Sequence, residues 1–269
     1  MRHLTALLLV ALAVSMPGTG WSQDRSEQPF RSSISMGGSY VSGNIGQATA
    51  TADVRLSHSE ARRGYDVLGS AFRLWIRPAP GTPMLRVGDT LAVTALPFWY
   101  FHERFFLLGT GRYEYSQLRG LDGRANAGIG VGVAPRRQED RLLRVSIGGQ
   151  IEQSRFISAA LSPGWVPDAR ERTVGRIALQ SNGWLRLERS RFVVRHVGGV
   201  MVNPAAPRDI RAFADGSLNI ELWRQLGIRL GASVLHDTVV PEGIRPTDVR
   251  LTTGIAWTRP ARKDASDHD

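Results

Sequence analysis

One serine and one histidine of this sequence could act as a nucleophile and its base. Ser181 lies in the run Gln180-Ser181-Asn182-Gly183, and a serine hydroxyl becomes a strong nucleophile only when a nearby base removes its proton. No histidine lies within four residues of Ser181 in the chain, although His196, on the next predicted strand, could reach across to it. The residues therefore leave acyl-transfer chemistry open as an alternative and favour a structural polar role for Ser181.

Candidates for metal or cofactor chemistry are few. The sequence contains no cysteine, which excludes thiolate metal sites, cysteine nucleophiles and a disulfide framework. His58, His102, His236 and His268 are isolated and show no metal-ligand spacing. No glycine-rich phosphate loop follows the strand-to-helix pattern that such loops require. We therefore predict no metal, no cofactor and no catalytic residue, and expect a protein that is not an enzyme.

Charges of opposite sign repeat at a spacing of two, which places them on one side of a β-strand about 7 Å apart. These pairs are Asp53 with Arg55, Arg112 with Glu114, Arg186 with Glu188, and Asp248 with Arg250. Inside a closed barrel they would cross-pair and fill the interior, which is the favoured interpretation; the alternative is an ion or solute pathway with a mixed-charge constriction. The predicted lumen charge network is Asp53, Arg55, Arg112, Glu114, Arg144, Glu152, Arg186, Glu188, Arg211, Asp215, Glu221, Asp248 and Arg250.

The elements that would position these side chains are β-strands. Apolar and polar residues alternate with a period of two through most of the chain, as in Leu142 to Phe156. At about 3.3 Å per residue, ten or eleven tilted residues span roughly 25 Å, the height of the apolar band of an outer-membrane barrel. About twelve segments share the pattern: residues 33–41, 48–57, 65–76, 90–101, 105–116, 124–134, 142–156, 173–187, 192–202, 210–222, 228–237 and 248–258.

Alternation alone does not say whether the apolar face meets lipid or a protein core. Strands of ten or more residues exceed the usual five or six of globular sheets, and aromatic residues at strand ends, such as Phe98 to Phe101 beside Phe105 and Phe106, suit interfacial girdles. We predict an all-β fold, a single antiparallel transmembrane β-barrel of about 12 strands, with 10 or 14 strands as alternatives. A soluble periplasmic β-sandwich that binds a ligand is the alternative architecture.

The connections between the predicted strands differ in length. Short turns are predicted at residues 61–64, 102–104, 188–190 and 224–227, and longer links at residues 77–88, 117–123, 157–172, 203–209 and 238–247. Short turns at one end and long loops at the other are typical of bacterial outer-membrane barrels.

The N-terminus has the features of a secretory signal peptide. Arg2 and His3 precede a charge-free stretch of 13 residues from Leu4 to Met16, which is too short to cross a bilayer. We predict a signal peptide at residues 1–22, an N-terminal periplasmic segment at 23–31, the barrel at 32–258 and a polar tail at 259–269.

The chain is strongly basic, with a formal net charge of +10. Nearly all of the cations are arginines scattered along the sequence, and Lys263 is the only lysine. Nucleic-acid binding would need a clustered basic face and a reader motif, and the sequence shows neither. We predict no nucleic-acid partner and expect outer-membrane lipids and lipopolysaccharide as partners.

Three short motifs resemble the YdiY-like family of salt-induced outer-membrane proteins, a domain of unknown function. The first is the run from Gly37 to Asn44, in which Gly38, Tyr40, Ser42, Gly43 and Asn44 carry the likeness; the second is Arg124 with Gly128-Ile129-Gly130; the third joins Asp237, Pro241 and Thr247-Asp248 to the last strand. The resemblance spans residues 32 to 258. It implies an outer-membrane barrel of a Gram-negative bacterium and implies no activity, and the chain departs from the family in Ile45 and in its near lack of lysine.

Two further resemblances concern single segments. Thr252, Gly254 and Trp257 resemble the terminal strand signal that the outer-membrane assembly machinery reads, although about twelve residues follow Trp257. Gln180 to Gly183 resembles the serine segment of outer-membrane phospholipase A and of lipid A deacylases. The second resemblance implies lipid hydrolysis, which stays an alternative because the base that those enzymes need beside the serine is missing from the same strand.

Overall fold

Twelve antiparallel strands form one closed barrel. The computed structural model describes residues 30–41, 46–138, 140–157, 171–187, 191–223, 225–240 and 245–259. Each strand pairs with its neighbours in the chain, and β1 pairs with β12 to close the barrel. The strands are β1 (Phe30–Val41), β2 (Gly46–Ser59), β3 (Arg63–Arg77), β4 (Leu85–Tyr100), β5 (Phe105–Ser116), β6 (Leu121–Arg137), β7 (Arg141–Phe156), β8 (Glu171–Arg186), β9 (Phe192–Asn203), β10 (Ala206–Trp223), β11 (Leu226–Asp237) and β12 (Thr247–Arg259).

The predicted fold class and the number of twelve strands are confirmed. Among the described residues, no helix has the length and apolar character needed to span a membrane.

The two ends of the barrel differ in their connections. We call the end that holds Phe30, Arg259 and the connections after β2, β4, β6, β8 and β10 the turn end, and the opposite end the loop end. The prediction of a long link at residues 203–209 is wrong: β10 begins at Ala206, which pairs with Asn203, so only residues 204–205 connect the strands. Residues 117–123 likewise form a one-turn 3₁₀ helix, Gln117–Arg119, followed directly by β6.

The apolar residues of the strands face outward and the charged residues face inward. Ile129 and Leu251 are about four-fifths exposed on the exterior (80% and 79%), whereas Arg211 and Glu114 on the interior face are almost fully buried (1% and 2%). A soluble sandwich would bury its apolar face instead. The arrangement is that of a barrel surrounded by lipid, and it contradicts the sandwich alternative.

The predicted aromatic girdle is only half present at β4 and β5. Trp99, Phe101 and Phe105 face outward, but strict alternation turns Phe98, Tyr100 and Phe106 into the lumen. These three inward rings belong to a buried cluster whose other members are Leu96, Leu108 and Ala134. Leu68 of β3 and Val197 of β9 pack against this cluster.

Part of β3 departs from this arrangement, because apolar residues face the lumen and an arginine faces the exterior. Phe72 and Leu74 line the lumen, and Arg73 lies on the exterior. The Arg73 guanidinium is compensated there, because its Nε donates to Asp89 Oδ1 of β4 at 2.8 Å. The strand pairing shifts register between Leu74 and Trp75, next to this pair.

Candidate functional site in the barrel lumen

A set of ion pairs crosses the lumen near the loop end. Arg211 of β10 lies at its centre, where it donates to Glu152 Oε2 of β7 at 2.9 Å and also binds Glu114 of β5. Arg124 of β6 donates to Asp237 Oδ2 of β11 at 2.7 Å. We call this set the cross-lumen network; its members are Glu114, Arg119, Arg124, Glu152, Arg172, Arg176, Asp209, Arg211, Asp237 and Asp248.

The network holds as many arginines as carboxylates, and each arginine contacts at least one carboxylate. Arg176, for example, bridges Glu152 Oε1 at 3.1 Å and Asp209 Oδ1 at 3.0 Å. A buried charge without a partner is costly, whereas a paired and hydrogen-bonded one is tolerated. These five arginines and five carboxylates therefore close part of the lumen as paired ions, and Arg112 adds a sixth guanidinium 3.9 Å from Glu114.

The pairs predicted from spacing along a strand are mostly not the pairs that form. Arg112 and Glu114 do approach each other, at 3.9 Å, but Glu114 is held mainly by Arg211 and Arg119. Asp53 and Arg55 turn to different partners, Ser35 and Asp66, at 3.4 Å and 3.7 Å. Residues two apart on one strand are separated by about 7 Å along it, and side chains of other strands reach across the lumen to come closer.

The other described residues of the predicted network are also in the lumen. Arg186 forms two hydrogen bonds with Glu221 of β10, at 3.1 and 3.2 Å, while its predicted partner Glu188 lies outside the described residues. Asp248 pairs with Arg119 at 3.1 Å rather than with Arg250, whose guanidinium stacks on Phe72 at 4.2 Å. Asp215 lines a cavity described below.

Sequence reasoning missed several members of the network. The lumen charges that the sequence analysis did not predict are Arg119, Arg124, Arg172, Arg176, Asp209 and Asp237 of the network, and Asp66 outside it. The usable signal was the alternation itself, because most of these residues share a strand face with other polar residues. Arg119 had no such signal, since it lies on the 3₁₀ turn.

A second closure lies nearer the turn end, around Arg144 of β7. Its guanidinium stacks 3.6 Å from the centre of the Phe98 ring and donates to the Tyr100 hydroxyl at 2.9 Å and to Asp66 Oδ2 at 3.2 Å. Because the aromatic cluster reaches from β4 to Val197 on β9, it fills one side of the lumen at this level.

Two cavities lined by described residues lie beside these closures in the lumen. The loop-end chamber, of about 310 Å³, is lined by residues of β2 to β5 and β10 to β12, including Asp53, Arg112, Asp215 and Arg250. The turn-end vestibule, of about 170 Å³, is lined by residues of β1, β2 and β8 to β12. Arg229 of β11 lines both cavities, so its side chain lies between them.

On the barrel exterior, Ser181 of β8 and His196 of β9 are hydrogen-bonded. The Ser181 Oγ and His196 Nε2 atoms are 3.0 Å apart, so His196 does reach Ser181 from the neighbouring strand. Ser181 shares its face with Leu179, which is exposed on the exterior, and the pair therefore faces the surrounding lipid. No other hydrogen bond to His196 forms within the part of the chain that the structure describes, so a third group that would orient the imidazole is not seen there.

The first and last strands, which carry two of the sequence motifs, meet at the seam that closes the barrel, whereas Arg124 and Gly128 to Gly130 lie on β6. Gly37 pairs with Gly254, and a Cβ atom on Gly254 would clash with the backbone carbonyl of Met36. Tyr40 is exposed on the exterior and Gly38 packs against the backbone of β2, while Ser42, Gly43 and Asn44 lie outside the described residues. Thr252 faces the loop-end chamber and Trp257 pairs with Ile34; none of this tests the assembly signal.

Comparison with known proteins gives a family and a set of distant barrels. Residues 34–258 match the family model described as "Protein of unknown function, DUF481". No curated relative matches the sequence. The translocator domain of the autotransporter NalP from Neisseria meningitidis is 13% identical to this chain, with a TM-score of 0.42. That match covers 95% of this chain and 94% of the translocator domain. The KdgM porin is 9% identical, with a TM-score of 0.36 and coverages of 84% and 98%.

Proposed function

Since the chain belongs to the DUF481 family of proteins of unknown function, whose description assigns no activity, we propose a function from the lumen: a narrow passage for ions or small solutes. The barrel lies in the outer membrane of a Gram-negative bacterium, with the turn end in the periplasm and the loop end outside, and contributes to envelope integrity or stress tolerance. The apolar exterior and the short turn-end connections support this placement.

One observation carries the proposal: Arg229 lines both the loop-end chamber and the turn-end vestibule. The chamber reaches Gln47 and Asp248 near the loop end, and the vestibule reaches Gln225 and Arg259 at the turn end. The two cavities together therefore follow the lumen from one end to the other, with the Arg229 side chain at the narrow point. Charged side chains at a constriction select ions by sign and size.

The two closures narrow this route without filling it, and the cross-lumen network borders the loop-end chamber through Glu114, Arg119 and Asp248. The cross-lumen network is built mainly from β5 to β8, β10 and β11, and the aromatic cluster from β4 to β6 with β9. Both cavities include residues of β2, β11 and β12. The closures make the passage narrow, and they do not fill the side on which the cavities lie.

Partners follow from the same placement. The exterior contacts outer-membrane lipids and lipopolysaccharide, and the β-strand formed by Thr247–Arg259, which contains Thr252, Gly254 and Trp257, engages the outer-membrane assembly machinery. The apolar outer face of the strands supports the first statement, and the polar, glycine and aromatic order of the last strand supports the second.

Planar-bilayer conductance of the purified protein tests the passage. We expect small, steady currents in the wild type and larger ones in Arg229→Ala, because the variant removes the side chain at the narrow point. Arg155→Ala, which removes an exposed arginine of the exterior, is the matched control and should conduct like the wild type. Silence of both the wild type and Arg229→Ala would mean a plugged barrel and would overturn the proposal.

Lipid hydrolysis at Ser181 is the second candidate function, and the hydrogen bond to His196 is the observation that favours it. A histidine within hydrogen-bond reach of a serine hydroxyl is the arrangement that activates the nucleophile. The purified barrel would be mixed with phospholipid and with lipopolysaccharide, and release of fatty acid measured. Release that disappears in Ser181→Ala and in His196→Gln would support the hydrolase, and an unchanged rate in Ser181→Ala would exclude Ser181 as the nucleophile.

A further inference from the structure

We infer that the turn-end vestibule is a binding site for a small oxyanion that carries a phosphate or sulfate group. This inference goes beyond the proposed passage and does not depend on it, since a closed barrel could also bind an anion from the turn end. It rests on the charge of the described residues that line the vestibule, on the absence of an ion pair to Arg195 and Arg229 among those residues, and on the shape of the guanidinium group.

The lining of the vestibule is strongly basic. The described residues around it include six arginines and a single carboxylate, Glu221, which already accepts two hydrogen bonds from Arg186. Arginine stays protonated in proteins. The six arginines are Arg31, Arg55, Arg186, Arg195, Arg229 and Arg259.

Several of these guanidinium groups lack an anionic partner. Within the described ranges, Arg195 and Arg229 form no ion pair, and Arg55 is 3.7 Å from Asp66, which it shares with Arg144. Arg31 has only the ring of Trp184 beneath it, at 5.6 Å.

The cross-lumen network shows how the same chain treats arginines that serve only to fill space. There each arginine contacts at least one carboxylate, as Arg176 does with Glu152 and Asp209. Unpaired like charges in a confined space repel each other and are costly to desolvate. The described residues therefore do not supply enough carboxylates to pair with the vestibule arginines, and a bound anion would complete the pairing.

Phosphate and sulfate fit this lining better than a simple halide does. Guanidinium groups present parallel N–H donors that match two oxygens of one oxyanion, and such charge-assisted bonds are roughly twice as strong as neutral ones. Ser33, Asn219 and Thr258 add neutral hydrogen-bonding groups to the same lining. A cavity of about 170 Å³ suits an ion of this size rather than a large polyanion.

Equilibrium dialysis of radiolabelled sulfate and of radiolabelled phosphate against the purified full-length protein tests the site. We expect saturable binding of one or both, with chloride a weak competitor, and a loss of about tenfold or more in affinity in Arg195→Gln, the scale of one charge-assisted hydrogen bond. Arg250→Gln removes a lumen arginine from the loop-end chamber and is the control that should bind like the wild type. Equal weakening in both variants, or no saturable binding in the wild type, would overturn the inference.

Thermal unfolding separates ligand binding from a structural role of Arg195. Sulfate should raise the unfolding temperature of the wild type and should do so much less in Arg195→Gln, whose unfolding temperature without anion should be equal or higher because a like charge has been removed. A sulfate effect that is as large in the variant as in the wild type would contradict the site. If sulfate binds but the protein carries no current in planar bilayers, the oxyanion site is supported and the proposed passage is excluded.

Discussion

Arg124 of β6 and Asp237 of β11 form an ion pair across the barrel, with Nη1 2.7 Å from Oδ2. The two strands are five positions apart in a closed ring of twelve, which places them almost opposite each other. Both side chains are buried, and each has a second charged neighbour: Glu152 lies 3.7 Å from Arg124, and Arg119 lies 3.7 Å from Asp237. The pair therefore ties opposite walls together within a larger set of charges.

Breaking this pair should destabilise the barrel more than breaking an exposed one. Asp237→Asn leaves Arg124 buried without its nearest counter-charge, and removing one partner of a buried pair costs about 3 kcal/mol or more. Urea unfolding in lipid vesicles measures the free energy of unfolding. Arg155→Ala, which breaks the exposed pair with Asp122, should cost at most about 1 kcal/mol; similar losses in both variants would show that the buried pair has no special weight.

The strands, and which of their residues share a face, could be predicted from the sequence because both depend on local order. Period-two alternation requires only that neighbouring residues point to opposite faces, and the predicted ends of β5 coincide with the observed ones, Phe105 and Ser116. The predicted strand bounds are wrong where a strand continues beyond the alternating stretch. For example, β4 starts at Leu85 rather than near residue 90.

The partners inside the lumen could not be predicted, because they depend on distances across the barrel. Arg124 and Asp237 are 113 residues apart in the chain, whereas spacing along one strand compares residues two apart. Which opposite strand lies nearest depends on the number of strands and their stagger. The contact between Ser181 and His196 is intermediate, since pairing of β8 with β9 brings them together once the register is known.

A charge placed on the exterior at mid-height tests whether that face meets lipid. Ile129 lies at the middle of β6 and is 80% exposed. Ile129→Arg should lower the free energy of unfolding in vesicles by about 2–4 kcal/mol, and Leu107→Arg, on the exterior near the turn end of β5, by about 1 kcal/mol or less, because the cost falls toward the membrane surface. If both substitutions are neutral, the exterior faces water.

Phe98 of β4 and Phe101, which directly follows the strand, give a matched inward and outward pair. Phe98 is buried in the lumen cluster beneath Arg144, while Phe101 is exposed on the exterior. Phe98→Ala should cost about 3–5 kcal/mol of unfolding free energy through the cavity it leaves, and it also removes the ring on which Arg144 stacks. Phe101→Ala should cost clearly less in the same urea titration. A larger loss for Phe101 would mean that interfacial anchoring, rather than the lumen cluster, stabilises this part of the barrel.

The glycine pair at the seam tests how the barrel closes. Gly254 faces Gly37 across the β1–β12 pairing, and a methyl group on Gly254 would meet the carbonyl of Met36, so Gly254→Ala must push the two strands apart. We expect slower and less complete refolding from urea into detergent. Refolding is measured by the difference in gel mobility between heated and unheated samples. Gly149→Ala is the control, because a Cβ there meets nothing within 4 Å. Refolding of the purified chain involves no assembly machinery, so a defect seen here belongs to strand packing. A Gly254→Ala variant that refolds like the control but fails to reach the membrane in cells would instead assign the glycine to the assembly signal.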